Sequence, residues 1–563
     1  MKKINWQTPL KLFDVAQTRQ LEALASSNLS GFSLMEQAGL AIAQLAMAVK
    51  PFANCHWIFC GQGNNGGDGL EAAAHLHQWG QKVIVVLWQP KQKRPADSEI
   101  ALKKAMDLGV AMVSQLDSTH SIHSSDLVID ALLGIGLRHQ NEDEAPSIQD
   151  WIEAAYLSGA DVLAVDIPSG LNANTGNFQK QSPPRASIQA THTLQLLSAK
   201  PGCFTAHGRD ACGTLWLDTL GSEALQENLA SIARLNTLPQ PKRQPNHASH
   251  KGTFGDVAVV GGESVQTRGM GMTGAVDLAA LAALHAGAGR VMVSYLNQGA
   301  DVATRSMEVM ARSFDALDLK NSTLVCGCGG GIEIKKVLPK VLQESTQLVL
   351  DADALNAIAQ DPWLEDLVRQ RAAKNKTTVI TPHPLEAARL LKTNTAHVQN
   401  DRLSAAQTLA QQMRCTVVLK GSGTVIAQQG ETSLINPTGS ARLATGGTGD
   451  VLAGIVAARM AQGLGAFEAA CSAVFEHGQA ADAALGWLAA GPAPGGEVMR
   501  GAMLIDAGLG KTYTESLRPA LAQCRSLGIR RLELVVVTHI DRDHIGYVPA
   551  CYRGVYRDAR GAR

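Results

Sequence analysis

The sequence predicts an α/β protein: two parallel-sheet domains in succession, followed by a short, incomplete C-terminal fragment. Three observations carry that reading. Short apolar runs end repeatedly in loops of Gly, Asn, Asp or Ser, and helical stretches separate them, the spacing that crossovers between parallel strands require. The pattern occurs on both sides of a proline-rich stretch. At 563 residues the chain is also too long for one ordinary core.

Composition narrows the class. Hydrophobic residues make up 45% of the chain, and 50 Lys+Arg balance 50 Asp+Glu. A neutral chain argues against a broad nucleic-acid or anionic-membrane surface and leaves small molecules as the expected partners, with a homo-oligomer compatible. No run reaches the roughly 18 uninterrupted apolar residues of a membrane span. The 10 cysteines include no Cys-x-x-Cys pair and read as small apolar side chains in a reducing, cytoplasmic compartment. The close pair Cys326-Gly-Cys328 is either packing or a soft-metal pair, and with no His or Cys cluster nearby packing is favoured.

In chain order, residues 12–50 read as two helices, the second opened by the capping-box pattern Ser33-Leu-Met-Glu36. Three strand-to-loop phrases follow. Trp57–Cys60 runs into Gly61-Gln-Gly-Asn-Asn-Gly-Gly-Asp-Gly69, Leu127–Ile129 into Asp130-Ala-Leu-Leu-Gly-Ile-Gly136, and Val162–Val165 into Asp166-Ile-Pro-Ser-Gly170. In a parallel sheet such loops gather at one crevice. The first is too polar for phosphate cradling alone. Asn65, Asp130 and Ser169 offer an amide, a carboxylate and a hydroxyl oxygen, a set that suits a hard cation; Asn and Asp that merely stabilise turns would look alike.

Together these three loops resemble the NAD(P)H-hydrate epimerase domain, over about residues 10 to 235. The resemblance implies a Rossmann-like sheet in a domain of residues 1–235. It implies that Asn64, Asn65, Gly66, Gly67 and Asp68, with Gly134, Ile135, Gly136, Leu137, Arg138, His139 and Gln140, contact the hydrated dinucleotide, and that Asn65, Asp130 and Ser169 hold K+. Asp166 is then the substrate-contacting acid/base, working at the nicotinamide C6 whose hydroxyl leaves and returns on the other face.

Residues 236–249 form the linker, with three prolines and two charges between Leu238 and Asn246. A second α/β domain, residues 250–486, again ends its strands in polar loops. Lys420-Gly-Ser-Gly-Thr424 pairs a cation with exposed amides; it suits a nucleotide phosphate, and a hairpin turn would need the same glycines. The stretch Ala444–Gly454 places Gly446, Gly447 and Gly449 at the mouth of an apolar helix with Asp450 in its first turn. Bare amides there can hold an anion, and the carboxylate can take a proton from a hydroxyl beside it. A glycine-rich loop with an Asp helix cap is the plainer alternative.

With His250-Lys-Gly, Asp351–Asn356 and Thr381-Pro-His-Pro-Leu-Glu386, these motifs resemble the ADP- or ATP-dependent NAD(P)H-hydrate dehydratase, a relative of the ribokinase-like kinases. The resemblance implies that Ala275, Gly329, His383 and Asp450 contact the hydrated cofactor. It places Lys420, Gly421, Ser422, Gly423, Thr424 and Gly449 on ADP or ATP, the nucleotide accompanied by Mg2+, and gives Asp450 the catalytic role. His383 positions substrate or serves as a structural, hydrogen-bonded histidine. The family usually has Gly-Pro-Gly where this chain has Gly327-Cys-Gly329, and loss of the proline is expected to loosen the loop. The implied function is repair of hydrated NADH and NADPH: epimerisation of the R and S hydrates, then nucleotide-dependent dehydration of the S hydrate. The rival is a ribokinase-like small-molecule kinase, which the Gly446–Asp450 loop would serve equally but which leaves the first half unexplained.

Residues 487–563 change character. Leu534–Gly546 resembles the first metal motif of the metallo-β-lactamase fold, with His539, Asp543 and His544 matching and Asp541 where a second His is usual. The stretch is read as a truncated fragment of an unrelated domain, too short to supply the remaining ligands of that fold.

Overall fold

A computed structural model describes residues 1–28, 33–88, 94–116, 121–135, 148–178, 187–237, 246–296, 306–483, 488–489, 502–505 and 532–536. The chain forms two compact units, Met1–Leu235 and Asn236–Arg563.

In the first unit the helices Val15–Asn28 and Leu34–Val49 precede the main sheet. The expected capping box is present: Glu36 N–H donates to Ser33 Oγ at 3.2 Å, and Ser33 N–H to Glu36 Oε2 at 2.8 Å. The sheet runs Lys2–Lys3, Thr214–Asp218, His192–Leu196, Asp161–Val165, Leu127–Ala131, His56–Cys60, Val83–Leu87, Ala111–Val113. Every neighbouring pair is parallel except Lys2–Lys3 against Thr214–Asp218. The central strands are apolar on both faces because both are covered. Ile58 and Cys60 pack into one core with the helix Asn64–Gln78, while Trp57 and Phe59 pack into the other. Lys11–Leu12 pairs antiparallel with Ala233–Leu235, tying the two ends of this unit together.

The second unit carries Met310–Ala311, Arg290–Tyr295, Asp256–Gly261, Thr323–Cys326, Gln347–Leu350, Thr377–Ile380 and Thr416–Leu419 as consecutive parallel neighbours, extended antiparallel by Val425–Ala427 and Leu434–Ile435. One face buries Val257, Val259, Val325 and Val349 against the helices Thr273–His285 and Thr448–Ala461. Those helices touch so closely that a Cβ on Gly454 would lie 2.1 Å from Ala279 O, which only glycine avoids. Leu488–Ala489, Ala502–Ile505 and Leu532–Val536 form a small separate sheet. His539, Asp541, Asp543 and His544 lie outside the described residues. Among the described residues no helix is long and apolar enough to cross a membrane.

Candidate active sites

In the first unit the strand order reverses between His56–Cys60 and Leu127–Ala131, and a doubly wound sheet opens its crevice at such a point. The loops leaving these two strands meet there. A Cβ on Gly61 would fall 1.9 Å from Leu132 O, so glycine is required for the contact. Asn64, Asn65, Gly66, Gly67 and Asp68 form the first turn of the helix Asn64–Gln78 and not the free loop that the glycine and asparagine content suggests. The correction has a use, since a helix start points unpaired amides into the crevice. Asn65 lies against Gly134, whose built Cβ would be 3.4 Å from Asn65 Oδ1. Its buried Nδ2 lacks a hydrogen-bond partner. Gly134 and Ile135 are described; Gly136, Leu137, Arg138, His139 and Gln140 lie outside the described residues.

Asp130 and Ser169 are both fully buried and bonded twice over. Ser169 Oγ donates to Asp130 Oδ1 at 2.6 Å and Ser169 N–H to Asp130 Oδ2 at 2.8 Å. Burial pushes the Asp130 carboxyl up to about 6 despite these donors. A buried carboxylate and hydroxyl at a strand end, with no cationic side chain bonded to that carboxylate among the described residues, fit a monovalent cation of low charge density; Asn65 is placed against Gly134 of the same loop.

Asp166 follows the strand Asp161–Val165 with φ of 67°, a left-handed conformation that costs a non-glycine residue about 1 kcal/mol. What it gains is a partner. Its Oδ1 accepts from Leu196 N–H at 3.0 Å and from the ammonium of Lys200, whose side chain is fully buried and also donates to Leu196 O at 2.6 Å. Beside this pair, burial and then the charges of Asp166, Glu22 and Glu71 raise the Asp68 carboxyl well above the carboxylate range, with Lys200 opposing. Lys200 was invisible to motif reading. Its signal was weak: a lysine after an apolar strand, in Ser198-Ala-Lys200-Pro201.

In the second unit the order reverses between Asp256–Gly261 and Thr323–Cys326, and the site forms over that point. Asp450 sits in the first turn of Thr448–Ala461. The Cys328 thiol and the Asp351 and Asp450 carboxylates lie within 4.8 Å of one another. Lys420 supplies the balancing charge, its Nζ 2.8 Å from Asp351 Oδ1. Burial disfavours the Lys420 ammonium, yet Asp351, Glu386 and Asp450 outweigh that and raise its pKa. For Asp450 burial dominates, followed by repulsion from Asp351, and its carboxyl rises to about 7.

Gly449 belongs to the same cluster, because its built Cβ would be 3.1 Å from Lys420 Nζ; Ala275 and Gly329, the latter next to Cys328 in the chain, lie against each other, the built Cβ of Gly329 being 3.1 Å from Ala275 Cβ. The segment Lys420–Thr424 joins the antiparallel strands Thr416–Leu419 and Val425–Ala427, so it is a hairpin connection that also presents Lys420 to the site. Arg402, fully buried and missed from sequence, donates from Nη2 to Leu419 O and Lys420 O at 3.1 Å each and holds that turn.

His383 caps the helix Pro384–Leu390. Its Nδ1 accepts from Leu385 N–H at 3.1 Å, and its Nε2 lies 3.3 Å from Glu386 Oε1. Burial and then Lys420 lower its pKa, favouring a neutral ring that remains half exposed at the cleft. The loop expected to be loosened by Cys328 is instead pinned: Gly262 N–H donates to Cys328 O at 3.0 Å and Glu263 N–H to Gly329 O at 2.6 Å.

Residues 31–202 match the family model described as YjeF-related protein N-terminus, and residues 257–490 the one described as NAD(P)H-hydrate dehydratase. The Escherichia coli bifunctional NAD(P)H-hydrate repair enzyme Nnr is 36% identical over 478 residues, covering 82% of this chain and 87% of that protein. Its Coxiella burnetii counterpart is 35% identical and covers 84% and 94%. Among solved structures, the ADP/ATP-dependent NAD(P)H-hydrate dehydratase of Bacillus subtilis is 28% identical, covers 43% of this chain and 85% of that one, and gives a TM-score of 0.37. With the two family models matched in succession and relatives more than 30% identical matched along most of their length, the chain belongs to the family of bifunctional NAD(P)H-hydrate repair enzymes.

Proposed function

We infer that the first unit epimerises hydrated NADH and NADPH and that the second dehydrates the S hydrate at the expense of ADP or ATP, accompanied by Mg2+. The observation that carries the reading is Asp450: a half-buried carboxylate raised to about 7, in the first turn of a glycine-rich helix start and close to the Asp351–Lys420 pair. Asp450 takes the proton of the C6 hydroxyl as the terminal phosphoryl group transfers to it, and Lys420 with the amides of Gly446–Gly449 holds the charge that develops on phosphate. Expulsion of phosphate with loss of the neighbouring C5 proton restores the reduced ring. Ala275, Gly329 and His383 line the substrate side, and Lys420–Thr424 with Gly449 the nucleotide side.

In the first unit Asp166, paired with Lys200, and the proton-retaining Asp68 supply base and acid near C6. Residues Asn64–Asp68 and 134–140 bind the dinucleotide. Asn65, Asp130 and Ser169 would hold K+, which would supply a positive charge beside the buried Asp130 carboxylate. Two activities on one chain are chemically coherent, because a dehydratase that accepts one epimer strands the other unless something interconverts them.

The test is to incubate the purified protein with mixed hydrated NADH epimers, with and without ADP or ATP, and to follow the return of reduced-nicotinamide absorbance. Full recovery of both epimers with nucleotide, and none without, is the expected result. Recovery that stops at one epimer refutes the epimerase reading, and recovery without nucleotide refutes the phosphoryl-transfer reading.

A further inference from the structure

We infer that Cys328 is a positioning residue of the dehydratase site, its thiol donating a hydrogen bond to the Asp450 carboxylate and holding that carboxylate in place. The inference rests on Asp450 acting as the base. Cys328 is fully buried two residues beyond the end of the strand Thr323–Cys326, at the point where the strand order of the second unit reverses. Its backbone has no freedom to move away: Gly327 N–H donates to Val260 O at 3.1 Å, Cys328 O accepts from Gly262 N–H at 3.0 Å, and a Cβ on Gly261 would meet Cys328 O at 2.2 Å. The thiol is therefore delivered to Asp450 by the rigid core of the sheet and not by a side chain free to search.

A thiol is a weak donor that becomes useful opposite a charge. Burial, then Asp450 and Asp351, raise the Cys328 thiol well above its ordinary range, so it stays protonated while the carboxylate titrates. Other groups acting on Asp450 are Asp351 and Asp353, which oppose its ionisation, and Lys420, which favours it. From the elements packed around its helix come Glu263, which accepts from Ile332 N–H, Asp277, bonded to Tyr295, and the Arg459–Glu476 pair; His477 is buried and held neutral by its surroundings, its pKa lowered to about 4. Cys328 is thus the neutral donor set against two like charges. Without it Asp450 would be harder to ionise and free to turn.

The experiment measures pH profiles of dehydration for the full chain and for Cys328→Ala, Cys328→Ser and Asp450→Asn at saturating nucleotide. The expected result for Cys328→Ala is an acid limb moved up by roughly half a pH unit to one unit, with about 3- to 10-fold loss below the limb, near-parental rate above it and unchanged KM for ADP. Cys328→Ser, which keeps a donor, restores most of the limb. An unmoved limb in Cys328→Ala, or a uniform loss at every pH that Ser does not rescue, overturns the inference. Turnover in Asp450→Asn would instead overturn the base assignment, so the two failures are distinguishable. Should the Ala variant not fold, the infrared S–H stretch of Cys328, identified by its loss in Cys328→Ser, decides. It should shift when Asp450 is replaced by Asn, and a band that stays put refutes the contact.

Discussion

Replacing Asp450 by Asn should raise stability and abolish dehydration in the same molecule. Burial, then Asp351, hold this carboxyl at about 7 against an ordinary 3.8. A folded-state pKa above the unfolded one means that the folded protein binds the proton more tightly, so stability falls as pH climbs from about 4 to about 7. A carboxyl raised that far costs about 4 kcal/mol once ionised. Asp450 is only partly buried by its accessible surface, so about 2 kcal/mol is the working figure after solvent screening. Asparagine keeps the shape and escapes the cost. At pH 8 the second unit of the variant should melt roughly 4–8 °C above the parent, and at pH 4 the difference should vanish. Dehydration, measured by single-turnover absorbance, should fall by ~10²–10⁴ while ADP affinity stays within a few-fold. Near-normal turnover would falsify the assigned role, and a melting difference that does not grow with pH would refute the electrostatic argument.

Lys200→Met removes one partner of a buried pair, a loss that typically costs about 3–5 kcal/mol; it should slow epimerisation by ~10² or more, and chromatographic separation of the hydrates at a temperature where the variant remains folded would expose the idea as wrong if the parental rate persisted. Asp130→Ala should remove the K+ dependence of epimerisation and spare dehydration of the S hydrate, so both activities falling together with folding intact would sink the two-site model. A chain cut after residue 486 should keep both activities per folded molecule. Two equivalents of tightly bound zinc in the full chain by elemental analysis, with a hydrolase activity lost in His539→Ala, would contradict the reading of residues 487–563 as a fragment.

The fold class, the strand-end loops and the cluster of Gly446, Gly447, Gly449 and Asp450 were legible in the sequence because each is a local matter. A buried parallel strand announces itself by an apolar run, a crossover by its length, and a tight turn by glycine. The same locality misled at Asn64–Asp68, where glycine and asparagine content suggests a loop although packing of Leu70, Ala73 and Leu76 under the sheet extends the helix back to Asn64. At Lys420–Thr424 the hairpin turn is realised in the backbone, and the phosphate contact offered by the same glycine pattern belongs to the proposed function.

What only the tertiary structure decided is which charges face one another. Asp166 meets Lys200, Asp351 meets Lys420, and Cys328 meets Asp450, pairs in which the partners are far apart along the chain. Each meeting follows from strand order, from where that order reverses, and from how closely Gly61 and Gly454 let neighbouring backbones approach. Those are properties of the packed sheet, set by burying apolar faces against one another, and no local spacing encodes them. The sequence by itself determined the kinds of group each site contains; packing determined which carboxylate is paired, which keeps its proton, and which is left poised near neutrality.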